Sequence, residues 1–305
     1  MAGTAVFLMA YGTPDSPDDI EPYLTDIRRG RKPTPEAVED LRGRYLKIGG
    51  RSPLLEITRA QASAVQKLLA SRGVNIRVYV GMKHWHPYIR EVIPQIVGDG
   101  YDRIVGLVLA PHYSQVSTGG YKQALQEALA ASGRLSVDLI ESWYDHPLFH
   151  RAVKEKIENS LTQFAEPERV EILFTAHSLP EQILTMNDPY PTQVASSCRS
   201  VADLVGRKKW SFAYQSAGQT EGKWLGPDLI EYLRRRQATN SIAGVLVVPI
   251  GFVADHLEIL YDIDVEAQEF ARSIDLNLKR TESLNTSPIF ISALTDIVSK
   301  GLQST

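Results

Sequence analysis

Cysteine occurs once in the 305 residues, at Cys198. A lone thiol closes no disulfide within the chain, and it falls short of the four thiolates that an all-cysteine iron–sulfur cluster needs. Strong charge of either sign is lacking as well: 33 Lys and Arg against 36 Asp and Glu leave a net charge of −3. That balance carries no footprint for nucleic acid or for an anionic membrane surface. No apolar run approaches the roughly 20 residues that a membrane-spanning helix requires. The opening MAGTAVFLMA has no basic segment of the secretory kind and passes straight into a strand pattern. The expectation is a soluble, cytoplasmic chain with no membrane span and no nucleic-acid partner.

What is present is an alternation of short apolar runs with longer helical patterns. Strands are expected at Ala5–Ala10, Ile76–Val80, Ile104–Ala110, Val137–Glu141, Val170–Thr175, Trp210–Tyr214 and Gly244–Pro249, with an eighth near Asn277–Arg280. Most are continuously apolar rather than alternating, the signature of parallel strands buried on both faces. Helices are expected at Pro53–Ala70, Tyr88–Val97, Tyr121–Ala131, Val194–Val205, Asp228–Arg236 and Pro288–Leu302. Ser52 and Pro53 form a good helix start, serine as the cap and proline at the first helical position. The fold class is therefore α/β: two doubly wound, Rossmann-like units, each with a four-stranded parallel sheet and a cleft between them. The division falls at residues 1–145 and 146–305, and the last helix can pack back on either half. The halves echo each other, since Leu109-Ala-Pro-His-Tyr-Ser114 and Phe174-Thr-Ala-His-Ser178 each place a histidine just past an apolar run.

His177 is the most telling residue, read alongside the acidic segment from Asp255 to Ala271. That segment holds six carboxylates and no Lys or Arg, and Asp255, Glu258, Asp262, Glu266 and Glu269 fall on one stripe of an ordinary helix. Like charges at this spacing repel by a few tenths of a kcal/mol per pair, about 0.2–0.5 in isolated helices. A solvated amphipathic face is the bland explanation; a conduit for a hydrated divalent metal is the alternative. Oxygen ligands suit hard ions, and an imidazole shifts the preference toward ferrous iron and its neighbours. Among the other histidines, His112 and His256 read as hydrogen-bonded strand-end residues, and His84 and His86 face either a cleft or solvent. His146 and His150, four apart on a helix, have zinc spacing but no third ligand.

Several motifs then combine. Met9-Ala-Tyr-Gly-Thr-Pro14, Ile27-Arg-Arg-Gly-Arg-Lys-Pro33, Gly49-Gly-Arg-Ser-Pro-Leu54 and Leu109-Ala-Pro-His-Tyr-Ser114 lie in the first half. Ala176-His-Ser-Leu-Pro180, Tyr214-Gln-Ser216, Trp224-Leu-Gly-Pro227 and the run Pro249–Asp262 lie in the second. Together, and in this order across nearly the whole chain, they resemble the ferrochelatases, which insert ferrous iron into a porphyrin. The resemblance is greatest to the short monomeric enzymes of Gram-positive bacteria, which metallate coproporphyrin III, and Tyr11 carries that distinction. It implies that His177 and Glu258 bind iron and take up the pyrrole protons, with Tyr11 on the opposite face of the ring. It also implies that Asp262 and Glu266 extend the metal path outward, and that Arg28, Arg44, Tyr45, Ser52 and Tyr121 hold propionates. Iron and porphyrin would be substrates rather than resident cofactors, with no iron–sulfur cluster, and transient iron donors or product acceptors are conceivable partners. Protoporphyrin IX chelation, another tetrapyrrole chelatase, and a non-catalytic haem carrier are the competing expectations.

Overall fold

The computed structural model describes residues 3–132, 135–218, 222–237 and 242–303. Chain order in the first half is β1 Gly3–Ala10, α1 Ile20–Ile27, α2 Pro35–Lys47, α3 Leu54–Ser71, β2 Val78–Met82, α4 Ile89–Gly98, β3 Tyr101–Val108, α5 Gly119–Ser132 and β4 Ser136–Ile140. The second half follows with α6 Pro147–Leu161, β5 Val170–His177, α7 Tyr190–Val205, β6 Trp210–Gln215, α8 Leu229–Gln237 and β7 Gly244–Val248. A π-helix at Glu258–Ala267, α9 Gln268–Ser273, β8 Leu278–Arg280 and α10 Pro288–Gln303 complete it.

The strands form two four-stranded sheets, ordered β2-β1-β3-β4 and β6-β5-β7-β8, and every pairing is parallel. Continuous apolar runs make sense here because helices cover both faces of each sheet. Ala5 to Met9 on β1 and Ile172 to Phe174 on β5 are wholly inaccessible. Each large side chain of this kind contributes roughly 1.5–3 kcal/mol by leaving water. The last helix packs on α3 and β3 of the first half and on α6 of the second. Arg103, on β3, donates to the Gly301 carbonyl of α10 at 3.1 Å.

All eight expected strands are found, with ends shifted by at most three residues. Two helices escaped the sequence reading. In α2 only Tyr45 is buried, so it shows no apolar stripe for periodicity to detect; α1 is amphipathic, with Ile20 and Tyr23 buried, but is only eight residues long. The Thr34-Pro35 pair was the available signal for α2, since Thr34 Oγ1 accepts from the Ala37 amide at 3.3 Å. Ser52 is one residue too early as a cap: α3 starts at Leu54, and Ser52 Oγ accepts from its amide at 3.4 Å.

The echo between the halves lies elsewhere than expected. His112 follows β3, the inner neighbour of β1, whereas His177 ends β5, whose counterpart in the first sheet is β1. By strand order, the position matching His177 is the end of β1, where Tyr11 stands.

The acidic segment is the second correction. It winds as a π-helix, whose i→i+5 bonds give a wider turn than the ordinary helix. Residues four apart therefore stack closely, which aligns Glu258, Asp262 and Glu266 and leaves Asp255 and Glu269 off the line. Nor is the segment without cations. Arg280 binds both oxygens of Asp264 at 2.7 Å and lies 3.3 Å from Asp255. Arg44 reaches to 3.8 Å from Asp262. Electrostatic relief comes from other segments, which a pattern within one segment cannot reveal.

Candidate active site

The carboxyl ends of the two central strands face one cavity of about 1000 Å³ between the sheets. Its size is at the top of the usual range for small-molecule sites, and its place is the switch point at which doubly wound sheets bind ligands. Tyr11, Ser52, Lys83, His84 and Tyr121 line it from the first half; His177, Trp224, His256 and Glu258 line it from the second. Two glycines allow the walls to close. Gly12 has φ +101°, and a Cβ there would stand 2.8 Å from the Trp85 amide nitrogen. At Gly251 a Cβ would meet that of Ala176 at 2.8 Å, so the loop after β7 could not lie against the end of β5.

His177 is fixed on three sides. Its Nδ1 donates to the Ser178 carbonyl, which leaves Nε2 facing Glu258 Oε1 at 3.5 Å. Tyr190 donates its hydroxyl to the His177 carbonyl at 2.9 Å. The next residue is anchored too, with the Ser178 amide on Gln215 at 2.7 Å and its hydroxyl on Leu225 at 2.8 Å. Glu258 Oε2 faces His256 Nε2 at 3.5 Å. His256 is hydrogen-bonded, as expected, through Nδ1 to the Ala254 carbonyl at 2.9 Å, and it is in addition a neighbour of the His177–Glu258 pair.

Electrostatics bind the pair together. Burial acts to lower the His177 pKa, but the charge of Glu258 and its hydrogen bond outweigh it and lift the imidazole to about 9. Burial would raise Glu258, yet His177 and His256 hold it well below the usual carboxylate range. At neutral pH His177 and Glu258 therefore form an imidazolium–carboxylate pair. An imidazole with its ordinary pKa of 6.5 would be largely neutral at that pH; Glu258 reverses this for His177.

Along the π-helix, Glu258 is half-buried at the cavity, Asp262 is buried behind it and Glu266 is at the surface. Asp262 accepts from Ser216 Oγ. Burial is the main reason its pKa rises to about 6, and the negative charge of Glu258 adds to it.

The expected propionate ligands divide. Ser52, Tyr45 and Tyr121 line the cavity, and Tyr45 shares a 2.7 Å hydrogen bond with Thr13. Arg28 and Arg44 are not among the lining residues. Arg28 caps α1, its amide on the Leu24 carbonyl. Arg44 turns to Asp40 at 3.1 Å, to Asp262, and over the Tyr261 ring at 5.2 Å. The cations that line the cavity are Arg29, Lys83 and Arg90, which the sequence reading passed over. Lys83 stands over the rings of Tyr11 and Tyr121 at 5.8 and 5.1 Å, and burial lowers it to about 8. Its signal was present, as a lysine just past a strand end beside His84.

The remaining histidines are settled individually. His84 shares a 2.9 Å bond with Asp26 at the cavity wall, and His86 pairs with Glu91. His146 pairs with Asp296 at 2.9 Å and His150 with the Tyr144 carbonyl at 2.7 Å. Separate partners exclude the zinc pair that their spacing allowed. His112 shares a 3.0 Å bond with Ser197, and burial lowers it to about 3. Among the described residues, no three His, Cys, Asp or Glu side chains converge closely enough to hold a metal ion. Nor is any helix among them long and apolar enough to cross a membrane.

Residues 3–302 match the family model described as Ferrochelatase. The chain belongs to the ferrochelatase family. It is therefore an enzyme of iron insertion into porphyrin, the activity its motifs implied. A ferrochelatase of Herpetosiphon aurantiacus is 42% identical over 301 residues, covering 97% of this chain and 98% of that one. Two proteins named coproporphyrin III ferrochelatase are similarly related. That of Geobacillus kaustophilus is 41% identical, with 97% and 95% covered, and that of Bacillus subtilis is 39% identical, with 97% of each covered. Among solved structures, SirB from Bacillus subtilis with Fe3+ aligns with a TM-score of 0.59 over 98% of this chain and 95% of that one, at 11% identity. CbiX aligns at 0.57 over 98% and 100%, at 10% identity. At those identities the likeness is one of fold alone, and it gives the ferrochelatase cleft the same two-sheet frame.

Proposed function

We propose that this ferrochelatase takes coproporphyrin III as its porphyrin and acts in the cytoplasm. The observation that carries the proposal is that the His177–Glu258 pair, Tyr11 and the cations Arg29, Lys83 and Arg90 all line one cavity. Glu258 is close enough that its charge raises the Tyr11 phenol further, after the larger effect of burial. The phenol therefore stays protonated and neutral opposite the charged pair. A ring seated between them would have its centre approached from both faces.

Coproporphyrin brings four propionates where protoporphyrin brings two. Arg29, Lys83 and Arg90 supply positive charge, and Ser52 and Tyr121 supply hydroxyl donors. Charge-assisted hydrogen bonds of this kind are about twice as strong as neutral ones. Held at its rim, the ring can be bent by the walls, which exposes the lone pairs of the pyrrole nitrogens to metal from one side. Iron entering past Glu266 and Asp262 meets His177 and Glu258. For the imidazole to ligate iron it must first release the proton that Glu258 stabilises, and the freed pair can then take up pyrrole protons as the metal drops into the ring. Two protein ligands leave most positions on the iron open, which suits handing it on.

Anaerobic assays with ferrous iron test this. Coproporphyrin III should be metallated with a kcat/KM at least about tenfold above that for protoporphyrin IX, a difference of ~1.4 kcal/mol. Equal use of both, or preference for protoporphyrin, would refute the assignment.

A further inference from the structure

Asn285, in the loop between β8 and α10, takes part in four hydrogen bonds and in none of the roles above. Its backbone is left-handed, at φ +43°, a conformation that Asn adopts more readily than most residues. Its carbonyl accepts from Gln61 Nε2 at 2.9 Å, across 224 positions of sequence. Its amide donates to the Val253 carbonyl at 2.9 Å. Its side chain closes a double bond on Asp255: Oδ1 accepts from the Asp255 amide at 2.9 Å, and Nδ2 donates to Asp255 Oδ2 at 2.8 Å. Gln61 lies on α3, is fully buried and lines the cavity. Asp255 lies three residues before Glu258 and is held from its other oxygen by Ser283 at 2.7 Å and Arg280 at 3.3 Å.

We infer that Asn285 is a positioning residue for iron insertion: it ties the start of the Glu258-bearing π-helix to α3 of the opposite half. The ring is held by first-half donors, while the metal ligands come from the second half. How far Glu258 stands from the ring therefore depends on what joins the two. π turns are rare, and here the turn needs a fixed start for Glu258 to reach His177. Asn285 supplies it by gripping Asp255 on one side and the Gln61 amide on the other. This inference rests on the chelatase reading of the cleft.

The test uses the whole enzyme and single-turnover insertion of ferrous iron. Asn285→Gly tolerates the left-handed backbone and removes both side-chain bonds. Gln61→Met removes the other end at similar volume. Asn285→Gly should slow insertion roughly ten- to a hundredfold, as small misplacements of reacting groups do. Porphyrin affinity, read by fluorescence, should stay within about threefold of wild type, because only Glu258 is displaced. The double variant should be no slower than the slower single one, since both cut one strut. An insertion rate within about twofold of wild type, multiplying losses, or a parallel loss of porphyrin affinity would overturn the inference. Should the glycine variant fail to fold, Asn285→Asp serves in the same assay. It keeps the acceptor for the Asp255 amide but sets carboxylate against carboxylate, so insertion should again slow, and a wild-type rate would refute the strut. A wild-type enzyme that inserts no iron would instead defeat the chelatase reading itself.

Discussion

Tyr11 and His177 occupy equivalent places in the two sheets, each at the carboxyl end of a central strand, β1 and β5. One cavity receives both. The pseudo-symmetry of the fold thus delivers a neutral phenol from one half and a charged imidazole from the other to the same cavity.

Replacing His177 with Ala should lower iron insertion by roughly 10²–10⁴, since it removes both the proposed metal ligand and the proposed proton acceptor. Coproporphyrin should still bind with near wild-type affinity, because the rim contacts come from other residues. Steady-state rates with ferrous iron and a fluorescence titration of porphyrin check the two halves of this expectation.

The pH dependence follows from the direction of the His177 shift. Its pKa is raised from 6.5 to about 9, so the protonated form dominates below that value, and iron bound as proposed would have to displace the proton. The apparent KM for iron should fall as pH rises from 6 toward 9, approaching tenfold per unit, and then level off. Linked proton release on metal binding, measured by a pH indicator, should approach one proton at neutral pH. By the same sign, the contribution of the raised His177 to folding stability is complete below 6.5 and is lost as pH rises through 9, whereas that of the lowered Glu258 carboxyl is complete above 4.5 and is lost as pH falls below it.

Asp262→Asn should raise the KM for iron severalfold while leaving porphyrin affinity unchanged, because Asp262 lies on the outward line from Glu258 and is absent from the cavity lining. An equal effect on porphyrin binding would instead assign Asp262 to the ring.

Lys83→Met should weaken coproporphyrin binding by about ten- to a hundredfold, as expected from the ~1.5–3 kcal/mol of a hydrogen bond to a charged group. Protoporphyrin, with fewer carboxylates, should be affected less. Isothermal titration with each porphyrin measures the contrast.

Much of this was legible in the sequence. Buried parallel strands announce themselves as continuous apolar runs such as Ala5–Ala10, and His177, Glu258 and Tyr11 sat at or near their ends or in the segment following them. What stayed hidden depended on other segments. The winding around Glu258 is a π-helix, which an ordinary helical period misdraws, placing Asp255 on a line it does not join. Arg44 looked like a carboxylate clamp for substrate, but the carboxylates it meets are Asp40 and Asp262 of the protein itself. Arg29, and not its neighbour Arg28, lines the cavity because Arg28 closes α1 and Arg29 turns left-handed, at φ +54°.

The most direct measurement is a crystal structure of the enzyme with coproporphyrin III bound. The pyrrole nitrogens should lie between Tyr11 and His177, one on each face, with propionates toward Arg29, Lys83 and Tyr121. A ring bound outside this cavity, or with Tyr11 and His177 on the same face, would contradict the account.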